Sequence, residues 1–214
     1  MDGNGRWAKK RHLPRAVGHQ RGVDAVRRLV RAARAMGLQA LTLYAFSTEN
    51  WRRPEDEVSA LFGLLKRYIQ EDLAEFVENN VRLKIIGNYK ALTPDIVALL
   101  DDALARTAGN DGTTLVVALN YGAHDEIARA AAQAAAKGTI TPETIEAELD
   151  TAGLPQLDLL IRTSGEVRLS NFLLWQVAYA EMWFTEVLWP DFTPDHLQEA
   201  LDAFANRERR YGGR

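Results

Sequence analysis

The first six residues, Met-Asp-Gly-Asn-Gly-Arg, set a carboxylate at Asp2 directly before two glycines and a guanidinium. Glycines let backbone N–H groups approach phosphate oxygens closely, and Arg6 adds a donor fork suited to the same oxygens. The carboxylate is the informative member. Beside a bound diphosphate it would be repelled by about 4 kcal/mol per pair of unit charges near ~4 Å at an effective dielectric near 20. A bridging Mg²⁺ reverses that sign by taking carboxylate and phosphate oxygens together. Asp2 beside Gly3 and Gly5 therefore predicts a magnesium–diphosphate site. The plainer alternative is a turn aspartate capping its own loop.

The same stretch carries a decoy. Gly3-Asn4-Gly5-Arg6-Trp7-Ala8 fits the dinucleotide fingerprint G-x-G-x-x-A, with Asp24 about 20 residues on. Pro14 interrupts the helix that should follow, Asp24 lies near a helix start, and no strand stands in front of the glycines. That context argues against a dinucleotide.

Further reactive residues follow apolar runs. Ser47-Thr48-Glu49-Asn50-Trp51-Arg52-Arg53-Pro54 comes after ALTLYAF, Asn120-Tyr121-Gly122 after TTLVVAL, and Arg162-Thr163-Ser164-Gly165-Glu166-Val167-Arg168-Leu169-Ser170-Asn171 after LDLLI. If these runs are strands of one parallel sheet, the loops converge at its carboxyl edge and form an anion site of the kind that takes phosphate.

The elements that must position these loops alternate. Apolar residues at helical spacing predict helices over Gly22–Met36, Glu55–Glu78, Pro94–Thr107 and His124–Ala136, with capped starts at Thr141-Pro142 and Thr193-Pro194. Strands are expected at Ala40–Phe46, Val81–Gly87, Thr113–Leu119 and Leu157–Ile161. Repeated β–α–β units imply an α/β fold with a mainly parallel central sheet covered by helices, in a single domain over residues 1–214.

Composition agrees. The 214 residues are 47% apolar with a net charge of −3 and no cysteine, which excludes a disordered chain, a disulfide framework and a cysteine zinc site. No run approaches a membrane span, and no apolar signal-peptide core is present, so a cytoplasmic protein is expected. Charge is uneven: residues 1–34 balance at +8, and the other 180 sum to −11. Arg27, Arg31 and Arg34 read as a solvated helix face, and His12, His124 and His196 as structural.

MDGNGRWAKKR, GHQRGVDAVRR, LTLYAFSTENWRRP, LNYG, DLLIRTSGEVRLSNFLLWQVAYAE and LWPDF together resemble the cis-prenyltransferase family, specifically its undecaprenyl diphosphate synthases. The likeness runs from Met1 to Arg214 in the expected order, and the Asp-Asp-x-x-Asp motif of trans-type synthases is absent, since Ala-Leu-Ala follows Asp101-Asp102.

The resemblance implies an enzyme that condenses isopentenyl diphosphate units onto farnesyl diphosphate, making cis double bonds and releasing diphosphate at each step. It implies Mg²⁺ on Asp2 and Glu181, with Asp2 assisting departure of the allylic diphosphate. Gly3, Asn4, Gly5, Arg6, Arg15 and His19 would hold that diphosphate, and Trp7 would border the allylic chain. Arg162, Arg168, Leu169 and Ser170 fall on the isopentenyl diphosphate site. Ser47, Thr48, Glu49, Trp51 and Arg53 match a segment that closes over the substrates, and Asn50 matches a proton acceptor, a role the released diphosphate could also fill.

A product of about 55 carbons needs an apolar tunnel, since each buried CH₂ is worth about 0.8 kcal/mol. The resemblance places that tunnel between the Gly22–Met36 and Glu55–Glu78 helices and the sheet. It implies a homodimer as well, with Arg207-Glu208-Arg209-Arg210-Tyr211-Gly212 reaching the neighbouring site, and peripheral contact with the membrane for product release; no nucleic acid is expected. Family members carry a strand of the type His-Val-Ala-Ile-Ile before the Asp-Gly-Asn-Gly loop. Met1 is accordingly expected to be an internal methionine of a longer natural chain. The alternatives are a cis-prenyltransferase of different product length and a non-catalytic partner subunit, which would lack residues such as Asp2, Arg162 and Arg168.

Overall fold

A computed structural model describes residues 1–207. In chain order the elements are α1 (Asn4–Lys10), α2 (Arg15–Ala35), β1 (Ala40–Ser47), α3 (Glu55–Glu78), β2 (Arg82–Ile86), α4 (Pro94–Thr107), β3 (Thr114–Tyr121), α5 (Ala123–Ala136), α6 (Pro142–Glu148), β4 (Leu159–Arg162), β5 (Glu181–Phe184) and α7 (Pro194–Ala205). They form two compact units. The first comprises Met1–Ala32, Gln156–Leu169 and the chain from Trp175 onward; the second comprises Ala33–Pro155 with Ser170–Leu174.

The second unit is built on a parallel three-stranded sheet in the order β1-β3-β2. Leu43 pairs with Val117, and Leu83 with Leu115. The central strand β3 buries Leu115, Val116, Val117, Ala118 and Leu119 almost completely. A strand covered on both faces has no polar side to alternate, which is why its sequence is a continuous apolar run. Helix α3 buries Val58, Phe62, Ile69, Leu73 and Phe76 along one face, and α4 buries Ile96, Leu100 and Ala103. The β1–β3 register shifts between Tyr44 and Phe46 and again before Ser47. Such irregularities bend a strand and re-aim the chain beyond it. Here a 3-10 turn over Thr48–Arg52 comes at once.

The first unit has its own parallel pair, β4 with β5, in which Leu160 meets Met182 and Arg162 meets Phe184. Helix α1 packs Trp7 and Ala8 with Leu188, and the half-buried Val17 joins them. Its approach to α2 needs glycine. A Cβ on Gly18 would lie 2.1 Å from the Asn4 carbonyl oxygen, and one on Gly22 2.7 Å from Asn4 Oδ1. At the start of α7 the Thr193 N–H donates to His196 Nδ1 at 3.0 Å, so His196 has a capping role.

Several expectations are corrected. Residues 4–6 are helix rather than loop: α1 begins straight after Gly3, whose φ of 107° suits glycine. The strand before Asn120 runs on to Tyr121, so two of the three residues assigned to its loop are strand. The loop-bearing runs do not share one sheet, since β4 pairs with β5, a strand not expected at all. All side chains of β5 are half-buried, a pattern neither alternating nor continuous. Arg31 and Arg34 are exposed, as a solvated face requires, although Arg34 donates to Asn79 Oδ1; Arg27 is half-buried and lies 3.8 Å from Asp24.

Candidate active site

In the first unit Asp2 is held by its backbone. Its N–H donates to Thr163 Oγ1 at 3.1 Å, its carbonyl accepts from Thr163 Oγ1 at 2.9 Å, and the Trp189 N–H donates to the same carbonyl at 3.0 Å. Thr163 is buried directly after β4. Asp2 thus takes its position from a residue at the end of a strand, 161 positions away in sequence.

The anchored carboxylate faces guanidiniums. Arg162 donates to Asp2 Oδ2 at 3.0 Å and Arg6 to Oδ1 at 3.3 Å. Arg6 also donates to the Ser164 carbonyl at 2.9 Å and lies 3.1 Å from Glu166, which pairs with Arg168 too. Arg162 donates to the Arg168 carbonyl. Ser164 and Gly165 both have left-handed backbone, with φ of 74° and 73°, which turns the chain sharply after β4. Burial pushes the Asp2 carboxyl upward, but the Arg162 hydrogen bond and the charges of Arg162 and Arg6 outweigh it and hold the carboxyl below its ordinary value. Asp2, Arg6, Arg162 and Arg168 are therefore brought into one network.

The neighbouring candidates sit on α1 and α2. A Cβ on Gly5 would lie 3.1 Å from Arg15 Nε, so the Arg15 side chain lies over the start of α1. His19 follows one turn later on α2, half-buried. Asn4 Oδ1 is a buried acceptor with no hydrogen-bond donor among the described residues. Trp7 is buried; its indole N–H donates to Asp191 Oδ1 at 2.7 Å and the Arg11 guanidinium lies 4.2 Å from its ring centroid.

For a metal, no cluster of three His, Asp or Glu side chains exists among the described residues. Glu181 is engaged by Arg207 at 2.6 Å within the same chain, and Glu208–Gly212 lie outside the described residues. The donor set suits Mg²⁺ of the kind that takes one or two protein carboxylates and completes its shell with phosphate and water, with Asp2 as the anchored carboxylate.

The second unit presents a different cluster. Asn50 Oδ1 accepts the Ser47 N–H at 3.0 Å and closes the turn. Thr48 donates to Glu49 at 3.3 Å, and Arg53 donates to Glu57 at 2.9 Å. Trp51, 48% exposed, packs on Phe46 and Phe62, and its indole N–H donates to Asn120 Oδ1 at 2.8 Å. Asn120, at φ 49°, also donates to the Asn88 carbonyl at 2.9 Å. Asn171 donates to Glu49 Oε1 at 3.0 Å. Ser170, of the expected isopentenyl diphosphate residues, belongs to this unit, whereas Arg162, Arg168 and Leu169 belong to the first.

Sequence reasoning gave no role to Thr163, Glu166, Asn120 or Asn171. All four lie inside the motifs already singled out, but their types carry no distinctive chemistry and only partners far along the chain reveal what they do.

The comparisons with known proteins bear on this arrangement. An isoprenyl transferase of Agrobacterium fabrum is 57% identical over 220 residues, covering 99% of this chain and 89% of its own. The crystal structure of lavandulyl diphosphate synthase from Lavandula x intermedia in complex with dimethylallyl diphosphate superposes with a TM-score of 0.94 at 32% identity, over 99% of this chain and 95% of that one. That of a probable undecaprenyl diphosphate synthase from Campylobacter jejuni gives 0.82 at 38% identity, over 90% and 92%. These likenesses define a transferase of prenyl groups with a mainly parallel α/β fold. The family model described as "Putative undecaprenyl diphosphate synthase" matches residues 1–212. The chain belongs to that family, the cis-prenyltransferases.

Proposed function

We propose that this chain elongates farnesyl diphosphate with isopentenyl diphosphate in a Mg²⁺-dependent reaction, making a long-chain cis-polyprenyl diphosphate of undecaprenyl type, the precursor of a lipid carrier for cell-wall synthesis. The observation that carries the reading is the Asp2 network, one anchored carboxylate among Arg6, Arg162 and, through Glu166, Arg168. The three guanidiniums so placed can accept a polyphosphate by exchanging carboxylate partners for phosphate oxygens.

In this reading Gly3, Asn4, Gly5, Arg6, Arg15 and His19 take the allylic diphosphate. The first-turn N–H groups of α1 have no acceptor within their own helix. Trp7, buried as it is, supports α1 and borders the allylic chain. Arg162 and Arg168 take the isopentenyl diphosphate, where two guanidinium forks bind more specifically than ammonium groups would, and Leu169 and Ser170 complete that set. Asp2, with Glu181 as the second carboxylate, would hold Mg²⁺, which when bound would supply the positive charge that lowers the cost of a departing diphosphate. Ser47, Thr48, Glu49, Trp51 and Arg53 form the closing segment. The allylic C–O bond breaks, the new C–C bond forms at the isopentenyl double bond, and a proton is lost from the isopentenyl unit. Asn50 already accepts the Ser47 N–H, so the released diphosphate is the stronger proton acceptor.

Absence of a membrane-crossing helix among the described residues is compatible with a cytoplasmic enzyme that contacts the membrane peripherally. The reading includes a homodimer. The test is elongation: the full chain with Mg²⁺, farnesyl diphosphate and labelled isopentenyl diphosphate should yield polyprenyl diphosphates whose length is read chromatographically, and EDTA should abolish the product. A single condensation and nothing longer would favour a cis-prenyltransferase of different product length. No condensation at all would overturn the proposal.

A further inference from the structure

We infer that Asn171 is a positioning residue that fixes Glu49 of the closing turn against the start of α5, and so couples isopentenyl diphosphate held at Ser170 to the shape of that turn. The inference rests on the function proposed above. Asn171 makes three directional bonds with residues remote in sequence. Its backbone carbonyl accepts the Ala123 N–H at 2.9 Å, its Oδ1 accepts the His124 N–H at 2.9 Å, and its Nδ2–H donates to Glu49 Oε1 at 3.0 Å. The amide is thus used at both ends, its oxygen on the helix and its nitrogen on the turn.

The surroundings are shaped around this amide. A Cβ on Gly122 would lie 2.8 Å from Asn171 Nδ2, 2.8 Å from Thr48 Oγ1 and 3.1 Å from Asp125 Oδ2. The backbone of Gly122 is extended, so glycine is needed there for space, to let the three side chains meet. The segment bearing Asn171 is strained. Ser170, Asn171 and Leu173 have φ of 52°, 59° and 47°, a region that asparagine tolerates and leucine seldom enters. Phe172 pins it by stacking on Tyr44 at 4.3 Å and standing edge-on to Tyr121 at 6.0 Å. Strained backbone persists only where its surroundings over-determine it, and it gathers at ligand clamps. Ser170 is the residue next to the amide, so ligand bound there bears on the same short segment. Burial raises the Glu49 carboxyl, but the Asn171 hydrogen bond, with those of Ser47, Thr48 and Glu49's own backbone, holds it below its ordinary value.

A plain helix-capping role is the competing explanation, and Asn171→Asp separates the two. That variant keeps an oxygen for the His124 N–H, with its negative charge favoured at a helix start, but replaces the donor to Glu49 by a second carboxylate. The ionisable groups facing this pair among the described residues include Asp125 beside Gly122, the His124 imidazole in the first turn of α5, and the Tyr44 hydroxyl, which donates to the Tyr121 carbonyl. Asn171→Asp is expected to raise KM for isopentenyl diphosphate roughly tenfold, with a smaller change in kcat and an unchanged or higher thermal midpoint. The deficit should shrink as pH falls from about 8 to about 6, since facing carboxylates share a proton more readily at lower pH, and the trend should persist in a His124→Gln background. The pair Glu49→Gln with Asn171→Asp exchanges donor and acceptor and should recover activity several-fold over Asn171→Asp alone. Should Asn171→Asp fail to fold, Glu49→Asp shortens the partner, leaves the Asn171 oxygen on the His124 N–H, and should show the same KM effect without the pH trend. With an active wild type, an unchanged KM in these variants, or a pH-independent deficit that the double variant does not relieve, overturns the inference alone. A wild type that does not elongate overturns the function on which it rests.

Discussion

The Asp2 network of the first unit and the turn cluster of the second hold their polar groups by different means. Around Asp2 the partners are full charges: Arg162 and Arg6 on its carboxylate, Arg6 and Arg168 on Glu166. Around the turn they are mostly neutral, with the Asn50 amide on the Ser47 N–H, the Trp51 indole on Asn120 and the Asn171 amide on Glu49. Partly exposed ion pairs are individually weak and screened by salt, so an anion of higher charge can displace a carboxylate from a guanidinium. Amide and indole bonds are short-ranged and directional. The comparison teaches that one cluster is built to exchange partners and the other to keep a shape.

Substitutions can break or sharpen that contrast. The largest effect is expected from Asp2→Ala, which should lower turnover about 100-fold or more in the elongation assay, because an electrostatic contact to a leaving group is often worth about 3–4 kcal/mol. The acid limb gives a companion result. A carboxyl depressed by Arg162 and Arg6 contributes stability that is present above the ordinary carboxylate pKa and is lost only as pH falls through the lowered value. An NMR titration of Asp2 should therefore have its midpoint below that of an exposed aspartate. Next comes Arg162→Lys, expected to raise KM for isopentenyl diphosphate roughly tenfold by removing the bidentate fork while keeping the charge. The smallest effect belongs to Trp51→Phe, which keeps the ring among Phe46 and Phe62 but loses the bond to Asn120; kcat/KM should fall about fivefold. Arg162→Gln, which removes the charge as well, should show a deficit that shrinks between about 50 and about 500 mM salt, and the Trp51→Phe deficit should not change. Equal salt dependence for both would erase the distinction.

Regular elements were legible wherever burial imposed a clean period. Helices α3 and α4 run over the residues that apolar spacing marks, Glu55–Glu78 and Pro94–Thr107, and Thr193-Pro194 opens α7 as its cap chemistry indicates. Helix α1 was hidden because glycines at 3 and 5 oppose a helix on propensity, while the packing of Trp7 and Ala8 with Leu188 supplies what propensity withholds. Strand β5 was hidden because half-burial along its whole length leaves no periodic signal. Of the site, Asp2, Arg6, Arg162 and Arg168 could be named from residue type and motif. Trp189 and Thr163, which anchor Asp2, could not: the first uses its backbone N–H, which leaves no mark on residue type, and the second uses a hydroxyl like many others in the chain.

The amino-acid sequence by itself determined the inventory: the charged and amide side chains near strand ends, the α/β alternation and the family to which the chain belongs. Only the tertiary structure decided which of these groups meet. Asp2 faces Arg162 because a buried threonine directly after β4 grips its backbone, and Asn171 reaches Glu49 beside Gly122, where a Cβ would meet the Asn171 and Thr48 side chains. Periodicity is a local property that burial writes into neighbouring residues. A contact between residues more than 100 positions apart depends on how the whole chain closes, and no local pattern encodes it.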